Sequence, residues 1–565
     1  MNAQSPTAAT ATQMSRRQIL EALSGLMLAM FCSMVSTTVV GTSLPIIVPE
    51  LGGNQTAYTW VVTITLLTTA ISTPIWGKLA DLVNRKNLML IALVVFVLAS
   101  AGAGMSQSAE MLIAFRALQG LGGGGLAALS QILMADIISP RERGRYMGLF
   151  AGVMAVATVG GPLLGGVLTD SIGWRWNFYV GVPLGIIAFV VLWKTLKIEQ
   201  IRAAKVRIDY FGIVLLSLAA GFLLVWVSNV SDYGWISWET LIMVSIAVAS
   251  TVGFILVELR SAEPLIPLTL FRNRTFTLAV LASISIGVAM FGTSVYLAQY
   301  MQISRGYGPT EAGLLTIPMA AGMLIASTVV GQLVTRFGRW KGYLITGSLL
   351  MIAGTSLLST LHYDTSLVLV GVYMFLLGAG TGMTMQNLVL VAQNTSKPQE
   401  IGAASSGVTF FRTVGGTAGV AVMGSVLAAS MTQQVTDRAQ EIATAIASLG
   451  EDGAAIAEEL ASGTLPTTRG MPETIRIIIE DISAQAISHA FLIGVPLAVL
   501  SFVAILFLPN KPLARQNNIQ RMKAQRTESS LAVATAETGS VPVHTADDEP
   551  ATTSSRSAGS NGPGA

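Results

Sequence analysis

The chain has 565 residues, of which 52% are hydrophobic and only 11% charged, with a net charge of +3. A soluble domain carries about 25% charged residues, so a chain this poor in charge cannot cover a surface in water, and its solvent over most of its length must be lipid. The single cysteine, Cys32, excludes an intramolecular disulfide framework, and the three histidines (His362, His489, His544) have no metal-ligand spacing, so no metal site is expected.

In chain order, residues 1–19 form a polar N-terminus, and the apolar run that follows Arg16 and Arg17 is too long for a signal peptide. A helix needs about 20 apolar residues to cross the hydrocarbon core. That length predicts fourteen spans: 20–47, 57–77, 88–106, 110–135, 147–170, 176–196, 208–230, 239–259, 275–301, 311–334, 342–361, 366–391, 402–431 and 487–508. A long polar segment, 432–486, separates the last two, and residues 509–565, rich in Ser, Thr, Ala and Gly, are expected to be disordered. Trp235 and Trp238, between the seventh and eighth spans, fit an interfacial aromatic belt.

Basic residues collect on one set of connections. Lys78, Arg85 and Lys86 follow the second span; Arg141, Arg143 and Arg145 the fourth; Lys194 to Arg207 the sixth; Arg272 and Arg274 the eighth; Arg336, Arg339 and Lys341 the tenth. The opposite set carries only Arg175 and Arg305 among its short loops. The positive-inside rule then puts both termini, and the tail after Pro509, in the cytoplasm, and segment 432–486 outside. The basic start of the tail (Lys511, Arg515, Arg521) reads as an anchor near anionic lipid, and no nucleic-acid partner is expected.

An internal repeat divides the chain. Gly77-Lys-Leu-Ala-Asp81-Leu-Val-Asn-Arg85-Lys86 and Gly331-Gln-Leu-Val-Thr335-Arg-Phe-Gly-Arg339 share Gly, Leu and Arg at matching positions, eight spans apart. Two six-helix halves, 20–200 and 263–508, with a two-helix linker at 201–262 inserted between them, account for that distance. Parallel repeats of this kind are known in secondary transporters, with the solute site at the midplane.

Two arginines stand inside spans: Arg116 in the fourth and Arg412 in the thirteenth. An intramembrane charge is costly, at least ~2.5 kcal/mol on insertion scales, and marks a functional site by default. Gly120-x-Gly122-x-x-Gly125 matches a dinucleotide fingerprint in form, but it lies in an apolar span and not after a strand, so it reads as a close helix contact. Gly161-Pro162 removes a backbone donor in mid-helix and permits a bend. Aromatic, amide and methionine side chains on spans of both halves are the solute-binding candidates: Trp60, Tyr296, Gln299, Tyr300, Met385, Gln386 and Asn387.

Taken together these segments resemble the major facilitator superfamily. Gly77-x-Leu-x-Asp81-x-x-x-Arg85-Lys86 looks like its signature loop, and Leu112-x-x-x-Arg116-x-x-Gln119-Gly120 like its intramembrane arginine motif. Gly161-Pro162-x-x-Gly165-Gly166 resembles its antiporter motif, with Ala157 where a glycine is usual. Fourteen spans make the resemblance one to the drug:proton antiporter group. It implies an all-α membrane protein and not an enzyme. Its expected activity is export of amphipathic, cationic small molecules (drugs, dyes) across a bacterial plasma membrane, in exchange for protons, by a monomer working through alternating access. The proton gradient replaces any cofactor. The resemblance also makes Asp81 and Asp136, with Arg85 and Lys86, a gate that locks the halves.

The chain departs from that group at Ser36, where the first span usually holds an aspartate. Asp136 and Glu50 become the proton-coupling candidates in its place. The alternatives are a polyamine, metabolite or lipid transporter, or an uncoupled facilitator, of the same fold, and outside it a channel or a membrane sensor.

Overall fold

Lipid leaves backbone N–H and C=O groups no partner outside their own segment, and the helix is the solution an open chain has. The computed structural model accordingly contains helices and no strand among the residues it describes, which are 16–52, 55–196, 209–261, 264–449, 471–514, 516–518, 520–522 and 524–525. Linker residues 197–208, the outer segment 450–470 and the tail from 526 lie outside the described residues.

The first half comprises α1 (Arg16–Glu50), α2 (Gln55–Leu82), α3 (Arg85–Gly104), α4 (Ala109–Ile137), α5 (Pro140–Ser171), and the pair α6 (Trp176–Tyr179) and α7 (Gly181–Thr195). Short turns carry the caps that end one helix and start the next. The Asn84 side chain accepts hydrogen bonds from the Lys86 and Asn87 amides, Ser108 caps α4, and Ser139 caps α5 ahead of Pro140. Next come α8 (Tyr210–Tyr233) and α9 (Trp238–Arg260). The second half has α10 (Arg274–Gln299), which ends in a π-helical turn at Tyr300–Ser304, then α11 (Pro309–Leu315), α12 (Ile317–Phe337) and α13 (Lys341–Leu358). It closes with α14 (Leu367–Thr395), α15 (Ile401–Asp437), the short α16 (Ala439–Ala447) and α17 (Glu473–Leu506).

Fourteen of these helices reach eighteen residues among the described residues, counting α6 and α7 as one stretch, Trp176–Thr195. Among the described residues, twelve stretches are also apolar enough to cross a membrane on length and composition. The α2 helix lies against α4, α8 and α15, and α5 lies between α1 and α12; both carry long uncharged apolar runs of their own, 59–76 and 149–166.

Each half has its own core, one around Leu26, Leu93, Leu129 and Leu192, the other around Phe276, Leu344, Leu388 and Phe491. The inserted pair α8–α9 covers the seam where α2 of one half meets α15 of the other, with Leu216, Ala220 and Phe254 packed beside Ile71 and Phe410. Leu98, Trp193, Phe211 and Val368 are more than half exposed, the outward apolar face that a bilayer covers.

Residues up to Ile519 form one unit and residues 520–565 another, of which only short helical pieces are described. The tail departs from its expected disorder before that boundary. Leu513 and Asn518 are buried, and the segment after α17 is held by hydrogen bonds described below. Composition hid this, because the anchoring is done by backbone carbonyls and two asparagines.

Glycine sets how closely the helices approach. A Cβ at Gly161 would fall 1.9 Å from Thr38 Oγ1, and one at Gly287 would fall 2.0 Å from the carbonyl oxygen of Arg412. The second contact is with backbone, which cannot rotate away. Gly287→Ala should therefore destabilise the protein by ~1–3 kcal/mol, whereas Gly221→Ala, with nothing within 4 Å of the new methyl, should be neutral or stabilising through helix propensity. Thermal unfolding of both variants in the same detergent checks this, and equal melting temperatures would contradict the packing argument.

Candidate functional site

The starts of α3, α5 and α15, the ends of α2, α4, α7, α12 and α14, and the segment after α17 gather at one end of the bundle, the end that carries the basic connections. Here the two halves are fastened together. The Asp81 carboxylate, at the end of α2, accepts hydrogen bonds from the backbone amides of Gly402 and Ala403, both at 3.0 Å. Those amides belong to the first turn of α15, whose donors have no partner within the helix and carry the positive end of its dipole. The approach depends on glycine, since a Cβ at Gly402 would fall 2.3 Å from the Gly77 carbonyl oxygen. Thus the glycine and the aspartate of the loop motif act on one contact.

Arg85 holds that carboxylate in place. It pairs with Asp81 at 3.3 Å and with Asp136 at the end of α4, and its Nε donates to the Ala80 carbonyl at 2.7 Å. Asp136 is 1% exposed; its Oδ1 accepts from Arg85 and from Asn518 Nδ2 (3.0 Å), while its Oδ2 is buried with no hydrogen-bond partner. Asp81, Arg85 and Asp136 thus meet in one cluster. Lys86 stands apart from it, donating to the Trp193 carbonyl at 2.6 Å.

A second fastening joins α5 to α14. Arg143, buried, donates to Gln393 Oε1 and to the Ile138 carbonyl (3.2 Å), and Gln393 Nε2 in turn donates to Ser405 on α15 (2.6 Å). Deeper in the bundle, Gln131 of α4 donates to Gln386 of α14 at 2.9 Å. Sequence reasoning singled out Gln386 but not Gln131, Arg143, Gln393 or Asn518. The Arg141–Arg145 cluster was a signal for Arg143; nothing local marks Asn518.

The segment after α17 runs across both halves at this end. The Trp340 indole donates to the Lys511 carbonyl (2.8 Å), Asn394 donates to Pro512 (3.1 Å) and accepts from the Ala514 amide (2.9 Å), and Asn518 reaches Asp136. It is a strap from the second half to the first.

Arg116 lies one-quarter of the way along α4, 2% exposed. Its Nε donates to the Val61 carbonyl (3.2 Å) and its Nη1 to Gln119 Oε1 (2.7 Å), and Gln119 Nε2 donates to Ser100 (2.8 Å). Gly120 lets α2 close on this layer, because a Cβ there would fall 2.5 Å from the Thr65 carbonyl. Every acceptor given to Arg116 is neutral. Arg412, in α15, is 7% exposed, and its Nη1 has no hydrogen-bond partner.

The remaining candidates divide. Tyr296 donates to the Val420 carbonyl and Tyr300 to the His362 carbonyl (2.7 Å), so both hydroxyls tie helices of the second half together. Met385 and Asn387 are buried beside Gln386, Asn387 donating to the Met383 carbonyl (2.7 Å). Gln299 is half-buried with an unpartnered carbonyl oxygen, and Trp60 is half-buried on α2, away from this group. Helix α5 continues through positions 161 and 162 without a break; Gly165 offers its carbonyl to Ser43 (3.4 Å), and Gly166 follows on the same helix. Glu50, at the far end of α1, is half-exposed and pairs with Arg175 (3.0 Å) and the Trp174 indole (2.9 Å). Ser36 is buried and its hydroxyl has no partner.

The sequence model of the Major Facilitator Superfamily matches residues 26–420. The chain is similar to the multidrug transporter protein MdtP of Bacillus subtilis (strain 168), 37% identical over 425 residues, covering 75% of this chain and 78% of the relative. It is also 30% identical over 485 residues to multidrug resistance protein 3 of the same organism, covering 86% and 94%. Among solved structures, the human organic anion transporter MFSD10 (TETRAN) superposes with a TM-score of 0.58 over 86% of this chain and 99% of that one; at 14% identity the likeness is one of fold.

The clamp predicts its own weak point. Asp81→Asn removes the charge that faces the α15 amides, a hydrogen bond of the class worth about 1.5–3 kcal/mol, so the fastened state should lose tenfold or more in population. Spin labels at Val83→Cys and Lys397→Cys, on α2 and just before α15, should show one short distance in the otherwise native protein. Asp81→Asn should add a longer one, and Asn518→Ala a smaller fraction of the same. An unchanged distance distribution in Asp81→Asn would reduce the pair to a surface contact.

Proposed function

The chain belongs to the major facilitator superfamily, and on that premise we propose that it is a secondary active exporter of amphipathic small molecules, driven by inward proton flow and working by alternating access. The single observation that carries the reading is the clamp of Asp81 on the first turn of α15. A contact made only while the halves touch at one end biases a two-state equilibrium, and a transporter needs such a bias on each side of its cycle. The basic connections support a cytoplasmic position for that end, in a protein of the bacterial plasma membrane. The relatives' printed names, a multidrug transporter and a multidrug resistance protein, support drugs and dyes as substrates.

Proton coupling needs a carboxyl group that is ionised in one state and protonated in another. Ser36 cannot supply it. Asp136 has the chemistry: it is buried in the cluster that must open, one oxygen serves Arg85 and Asn518, and the other has no partner to lose on gaining a proton. Protonation would weaken the pair with Arg85 and so loosen the grip on Asp81. Glu50 is less suited, since it is half-exposed and committed to Arg175 and Trp174 at the opposite end. The sequence-based preference for cations would need a receiving carboxylate deep in the bundle. Among the described span residues the acids lie near helix ends, so the solute's charge is a separate question.

Two measurements test the reading. A cysteine introduced near Glu451 should react with an impermeant reagent from outside intact cells, and one near Ser530 should not, with buried Cys32 silent; labelling of the tail would reverse the orientation. In proteoliposomes an imposed pH gradient should drive dye flux through the native protein and through Glu50→Gln, while Asp136→Asn should keep voltage-driven flux and lose the response to pH. Flux driven by voltage alone in the native protein would replace the antiporter with an uncoupled facilitator.

A further inference from the structure

Arg116 and Arg412 stand within α4 and α15, whereas Glu50, Asp81, Glu110, Asp136, Glu258 and Glu311 lie at or near helix ends, and Glu480 and Asp481, in the first third of α17, are paired with Arg476 and Arg438. The two arginines are not equivalent. Arg116 has acceptors from Val61 and Gln119. For Arg412 no hydrogen bond or ion pair with a described residue is present, and its Nη1 is sealed from solvent without a partner.

The position of Arg412 is built. Its carbonyl lies where only Gly287 of α10 leaves room, so α15 is pressed against α10 at this level. Its side chain shares a helix face with Ser405, Thr409 and Gly416, at spacings of three and four residues, and all four are buried. Ser405, two turns nearer the basic end, accepts from Gln393 of α14, so this face turns into the bundle and away from lipid. The side chain thus stands away from lipid, with Nη1 sealed and only 7% of the residue exposed. A buried cation without a counter-charge is held against a large desolvation penalty, and its donors are arranged as a planar fork that fits a carboxylate.

We infer that Arg412 is the receiving group for an acid on the solute, and that the molecules this protein exports include amphipathic organic anions. The inference rests on the export reading above and names its substrate class. It replaces the cationic preference expected from the sequence. A carboxylate docked on Arg412 would supply the missing counter-charge, and the solute's apolar part would remain among the aliphatic and aromatic side chains of the bundle. The negative charge would also let the membrane potential, negative inside, assist export.

The test uses the full-length protein in detergent and in proteoliposomes, with two probes on one ring system: a coumarin carboxylic acid and its primary amide. In the native protein the acid should bind at least tenfold more tightly than the amide. Arg412→Gln should erase that preference and leave amide binding unchanged, while Arg412→Lys should retain part of it, because charge survives and the fork does not. Should Arg412→Gln fail to elute as a monodisperse species, the Lys variant against the native protein decides. Equal binding of acid and amide in the native protein, a preference that survives Arg412→Gln, or stronger binding of the cationic dye rhodamine 6G overturns the inference. Absence of flux for every probe, with the acid preference intact, would count against export and leave Arg412 as an anion site.

Discussion

The arrangement of the bundle at its basic end follows from one carboxylate placed on the start of another half's helix. Asp81 meets the amides of Gly402 and Ala403, donors that α15 cannot satisfy itself, in a region where water is largely excluded. Leaving those amides bare would cost α15 its first turn, and leaving Asp81 bare would bury a charge. Each half thus carries a group whose partner lies in the other half. Arg85 and Asp136 complete the charge balance, so the cluster is stable only when α2, α3, α4 and α15 are assembled.

The internal repeat does not reproduce this clamp, and the difference is physical. At the place corresponding to Asp81 the second copy has Thr335, whose hydroxyl turns back to the Gly331 carbonyl (2.9 Å) within its own helix. The related seam, between the first and second halves at α5 and α14, is fastened instead by Arg143 on Gln393. One fastening is an anion on helix amides and the other a cation on an amide oxygen. The first contains the carboxylates of Asp81 and Asp136. The strap from Lys511 to Asn518 reaches that same fastening, and Asn518 shares the oxygen of Asp136 that Arg85 uses.

Much of this was legible in the sequence, for identifiable reasons. Span positions follow from hydropathy and charge, and the loop motif, Arg116 and Gln119 follow from local patterns. The structure puts those residues in direct contact: Asp81 with Arg85, and Arg116 with Gln119. What stayed hidden is what pairs across distance. Asn518 and Asp136 are separated by 382 positions, and Gln131 and Gln386 by 255, with nothing in either neighbourhood to announce the partner. The hydroxyls of Tyr296 and Tyr300 donate to the carbonyls of Val420 and His362, partners 124 and 62 positions away.

The absence of an acid at Ser36 and the lack of a partner for Arg412 belong together. A transporter whose first span carried an aspartate would hold opposite charges deep in the bundle, and a solute would compete for one of them. With Ser36 buried and neutral, and the acids gathered at helix ends, the deep layer keeps an unbalanced positive charge. Coulomb attraction in a medium of low dielectric is strong and falls slowly with distance, so the layer attracts anions and repels cations, protons included. On the export reading proposed above, proton handling would occur where negative charge is available, at the clamp, and solute recognition where positive charge is unpaired, at Arg412. The two proposed steps would then be separated along the bundle axis. The link between them is α15 itself, whose first turn is gripped by Asp81 and whose first third carries Arg412. Movement of that single helix when the clamp opens would displace the guanidinium with it, which couples release of the gate to the position of the solute without a residue that performs both tasks.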